Sequence, residues 1–61
     1  MITMDMVAMA NGFEDAAEMN RMVARVDIQT DEELRKFTIW KETDGTKEGL
    51  EKLMEELVEH E

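Results

Sequence analysis

Residues 46–59 read TKEGLEKLMEELVE, and this stretch decides the fold class. Leu50, Leu53, Met54, Leu57 and Val58 recur at steps of three and four, which places them on one stripe of an α-helix. Thr46 or Asp44 supplies a side-chain oxygen for the free N–H groups of the first turn. Gly49 falls in that turn, where a glycine costs little and lets a neighbour come close. Glu48 and Lys52 have the favourable i,i+4 order. Glu55, Glu56 and Glu59 gather at the end of the helix where the dipole disfavours negative charge, so they have no structural benefit. A single apolar stripe must be covered, and the rest of the chain offers more helix to cover it.

Moving towards the N-terminus, Asp44–Gly45 ends the preceding element, with Gly45 suited to the left-handed position after a last turn. Thr30 with Glu33 forms a capping-box pattern, and Asp31, Glu32 and Glu33 set negative charge on the positive helix end. Leu34, Phe37 and Lys41 share one face, Thr38 lies beside them, Trp40 sits on the flank, and Ile39 points elsewhere. Apolar groups on more than one side predict a helix lodged between two neighbours, or one with a side turned to a partner.

The first helix has two readings. Asn11 with Glu14 reads as an N-cap and its capping-box partner, followed by Phe13, Ala16, Met19, Val23 and Val26 at helical spacing. Met6, Met9 and Ala10 continue the same face, so a longer helix from about Asp5 to Val26 is the alternative, capped by Thr3 or Asp5. Gly12 inside it would cost roughly 1 kcal/mol. The expectation is a small all-α, three-helix domain. Its helices cover about 5/12–26, 31–43 and 46–59 within a single domain 1–61 whose first four residues fray.

The chain has 61 residues, and a core of that size is marginal without a staple. There is no Cys, and the only imidazole is His60, so neither disulfides nor a zinc site with about four Cys or His ligands is expected. Association with a second chain is the remaining staple. Sixteen acidic against seven basic side chains leave a net charge of −9, a field that repels nucleic acid and anionic membranes and attracts basic surfaces. Residues 28–61 hold eleven of the acids. The longest near-apolar stretch, Met6 to Ala10, is far too short to span a bilayer, and residues 1–12 lack the pattern of a secretory signal. A cytoplasmic location is the default expectation.

Catalysis is not expected: Cys, Ser and Tyr are absent, and Thr30, Thr38, Thr43 and Thr46 read as caps and surface. The acids around Asp27–Glu32 and Asp44–Glu48 lack the spacing of a calcium loop. Neither a cofactor nor a metal is expected. The second and third helices, joined at Gly45, resemble a helix-turn-helix only in outline, because the would-be reading helix carries Glu48, Glu51, Glu55, Glu56 and Glu59 against Lys47 and Lys52.

What remains is an excess of apolar and acidic surface. Seven Met residues is heavy for this length, and Met1, Met4, Met6 and Met9 fall in the first nine positions. Methionine moulds to a partner, although a Met-rich face can equally fill an imprecise core. The candidate partner-binding residues are Met6, Met9, Phe13 and Trp40 for the apolar contact and Glu48, Glu51, Glu55 and Glu59 for the acidic one. Trp40 is either half-buried or an interface anchor. The expected role is a regulator or inhibitor of a larger, partly basic protein, in one version by competing with nucleic acid. The alternative is an accessory subunit or homo-oligomer that stabilises an assembly.

Overall fold

A computed structural model describes residues 1–58. Among the described residues the domain is all-α, but it has four helices rather than three: α1 Met4–Ala10, α2 Ala16–Ala24, α3 Asp31–Ile39 and α4 Lys47–Val58. A π-helical turn, Trp40–Asp44, extends α3. The expected helix end at Glu59 lies outside the described residues.

The correction falls between residues 10 and 16, where neither reading of a single first helix holds. Asn11 ends α1 instead of opening the next helix. The N–H of Phe13 donates to the Ala8 carbonyl at 3.0 Å and that of Gly12 to the Met9 carbonyl at 3.1 Å, the paired bonds of a Schellman motif. Gly12 stands at φ 95°, a conformation side-chain-bearing residues avoid, so it is a stop signal and not merely a weak helix former. Phe13 and Ala8 are both buried, which supplies the apolar contact that accompanies this motif. Asp15 then caps α2, its carboxylate accepting from the Glu18 N–H at 2.8 Å.

Other ends follow their local chemistry. Thr3 caps α1 and Thr30 caps α3, with Glu33 completing a capping box. Thr46 accepts from the Gly49 N–H at 3.1 Å at the start of α4. In the π turn the Gly45 N–H reaches back five residues to the Trp40 carbonyl at 2.8 Å, and Gly45 takes φ 75°.

The described core is small: Ala8, Phe13, Trp40, Leu50 and Leu53 are buried. Met19, Met22, Val23, Val26, Phe37, Met54 and Leu57 pack against them as half-buried residues. At about 1.5–3 kcal/mol for each large apolar side chain fully removed from water, this cluster drives folding. Trp40 places its ring 5.7 Å from that of Phe37 and donates its indole N–H to the Thr46 carbonyl at 3.0 Å, joining α3 to the start of α4. The end of α1 and the start of α2 meet the start of α4 at one corner. The Lys47 N–H donates to the Asn11 carbonyl at 2.8 Å, and the Lys47 ammonium reaches Glu18 at 3.2 Å. The molecule measures 41 × 17 × 15 Å, a thin shape that leaves much of its apolar surface uncovered.

Candidate functional site

Helix α1 packs against the molecule with its smallest apolar residue and turns its larger ones away. Ala8 is 0% exposed, whereas Met6 is 53% and Met9 61% exposed. Met4 and Val7 are exposed as well, as are Met1 and Ile2 before the helix. The Schellman end explains this orientation, because it commits Ala8 and Phe13 to the core and so fixes the rotation of a two-turn helix. Asp5 fixes it further: its carboxylate accepts the Ala16 N–H at 2.9 Å, which ties α1 to the first residue of α2. The result is an α1 whose Met4, Met6, Val7 and Met9 are exposed while Ala8 is buried, an apolar surface of the kind that marks contact sites.

The other sequence candidates separate into inside and outside. Phe13, 3% exposed, and Trp40, 9% exposed, belong to the core, so neither is available as an open anchor. Glu48, Glu51 and Glu55 are exposed on α4, one helical turn apart, and Glu48 pairs with Lys52 at 3.7 Å. Glu59 lies outside the described residues. Of the apolar candidates, only Met6 and Met9 share an open surface.

A second apolar feature lies on the second side of the Thr30–Asp44 segment, where the sequence gives no candidate site residue but Trp40. An open groove of about 330 Å³ runs between the α3–π-turn segment and α4, with Ile39, Trp40 and Leu53 among its lining residues and Lys36, Lys52 and Glu56 at its edges. Lys36 lies 3.9 Å from Glu56 and 4.0 Å from Glu32. The out-of-phase position of Ile39, now 54% exposed, was the one signal for it. Gly49 also has a specific reason: a Cβ there would overlap the carboxylate of Asp44, which is held by the Thr46 hydroxyl and N–H.

The electrostatics are simple. The Glu18 carboxyl is held below its ordinary range, first because the Glu14 N–H donates to it; burial opposes this, and the Lys47 ammonium and the Arg21 charge lower it further. Among the described residues, no buried side-chain polar atom lacks a partner, and no three His, Cys, Asp or Glu side chains are grouped to hold a metal ion. No helix among them is long and apolar enough to cross a membrane. Compared with family models, curated proteins and solved structures, the chain matches none.

Proposed function

We propose that this domain binds a larger protein through the methionine face of α1 and regulates or inhibits it by covering the surface it occupies. One observation carries the reading: α1 buries Ala8 and presents Met6 and Met9. Burying those side chains inside the domain would require only a rotation of α1, and the Asp5–Ala16 bond and the Schellman end oppose that rotation. The apolar face provides affinity. The exposed carboxylates of Glu48, Glu51 and Glu55 steer the domain towards a basic surface and raise the association rate. On a groove that also binds nucleic acid, they would stand where phosphates stand.

The test uses the intact chain and a Met6→Ser/Met9→Ser variant, immobilised side by side in extract of the native cell. A protein retained by the first and released by the second, and bound by the variant at least about tenfold more weakly when purified, supports the reading. Identical sets of retained proteins overturn it.

A second reading, a subunit that completes itself by self-association, is supported by the small core. Sedimentation across a hundredfold range of concentration separates the two, because only self-association is concentration-dependent for the chain alone.

A further inference from the structure

We infer that the element received by the α1 face is a basic amphipathic helix of the partner, with an apolar stripe flanked by Lys or Arg. The inference rests on the reading above and adds the chemistry of the occupant. Residues 1–20 contain four acids, Asp5, Glu14, Asp15 and Glu18, and no base. The segment that carries the methionine face thus has acidic side chains and no Lys or Arg. Three of these acids are anchored: Asp5 on the Ala16 N–H, Asp15 on the Glu18 N–H, and Glu18 on the Glu14 N–H. Lys47 comes to this corner and pairs with Glu18 at 3.2 Å, so those two charges offset each other and Asp5, Glu14 and Asp15 carry the net negative charge.

A second copy of the chain fits such a segment poorly, because it would bring its own net charge of −9 and set acid against acid. Anionic nucleic acid and anionic lipid are opposed for the same reason. A cationic helix is attracted. Its dimensions also match: α1 has seven residues and rises about 10 Å, two turns, the length over which a partner helix presents i, i+3/i+4 and i+7 side chains. Methionine side chains adapt to whichever apolar residues those positions carry.

The test separates this geometry from plain attraction between opposite charges. The full chain is titrated with two Leu/Lys peptides of identical composition and charge, one arranged as an amphipathic helix and one scrambled so that no apolar stripe forms. The striped peptide is expected to bind at least about tenfold more tightly. Met6→Ser/Met9→Ser is expected to remove that preference while leaving the helical content and the unfolding curve unchanged, since both residues are exposed. In the wild type, the methyl signals of Met6 and Met9 should shift on adding the striped peptide, whereas that of Met54 should not. Equal binding of the two peptides, or a preference that survives the double substitution, overturns the inference. If a cellular partner depends on Met6 and Met9 but the peptides are not distinguished, only the inference about the occupant falls. If the striped peptide docks as described but no cellular partner depends on these residues, the proposed function falls.

Discussion

Glu18 and Lys47 meet at 3.2 Å across 29 positions of sequence, and the same Glu18 oxygen also accepts the Glu14 N–H at 3.0 Å. One carboxylate thus serves both the entry to α2 and the seam between α2 and α4. Its pKa is lowered in the folded state, so its charge contributes stability that is present above the unfolded value, about 4.3 for Glu, and is lost as pH falls through the folded value. A Glu18→Gln variant should therefore be less stable than the wild type at pH 7, and the gap should close as the pH falls below the ordinary Glu range. Urea unfolding of both proteins across that range checks it. A gap that is constant with pH would show that the charge of Glu18 plays no part.

Trp40 is the second test of the fold. Trp40→Ala removes the largest core side chain and should cost about 3–5 kcal/mol, comparable with the whole stability of so small a domain, so the variant should be largely unfolded by circular dichroism. Trp40→Phe keeps most of the packing and loses the indole N–H. The Thr46 carbonyl still accepts the Leu50 N–H at 3.0 Å, so the lost hydrogen bond should cost only about 1 kcal/mol.

Gly12 and Gly49 make opposite cases of the same residue. Gly12→Ala forces a side chain onto φ 95° and should destabilise by about 1–2 kcal/mol, with Gly12→Asn milder. The Lys47 Cβ, 3.5 Å from the position of the new methyl, is at ordinary contact distance, so strain of the backbone and not crowding is the cause.

At Gly49 crowding is the cause. Alanine would gain a part of the about 1 kcal/mol of helix propensity that it has over glycine in a helix interior, but its methyl would displace the Asp44 carboxylate from the Thr46 hydroxyl. Gly49→Ala alone should bring no stabilisation, whereas in an Asp44→Ala background the gain should reappear. A double-mutant cycle by urea unfolding measures that coupling, and additive effects would contradict it.

Much of the helical content was legible from short-range signals. The Thr30–Glu33 capping box, the left-handed Gly45, the Thr46 cap and the α4 stripe all lie within a few residues of the features they control. The break at residues 11–15 was not legible, because Met6, Met9, Phe13 and Ala16 keep helical phase across it and periodicity cannot see a turn that preserves phase. Helix propensity describes Gly12 only as a weak helix former, whereas its left-handed conformation is what ends α1. The π turn depends on Trp40 being seated in the core, and the Glu18–Lys47 and Lys47–Asn11 contacts join residues far apart, so no local pattern announces them. For the candidate site, the methionine excess was visible in composition, but which residues face outward was set by Ala8 and Phe13 turning inward, a matter of packing.

An outward-facing α1 is tested most directly by methionine methyl NMR of the isolated chain with a soluble paramagnetic probe. At low protein concentration the methyl signals of Met6 and Met9 should be strongly broadened by the probe, while those of Met19, Met22 and Met54 should be markedly less affected. Met6 and Met9 signals as protected as that of Met54 would place α1 the other way round and contradict the account.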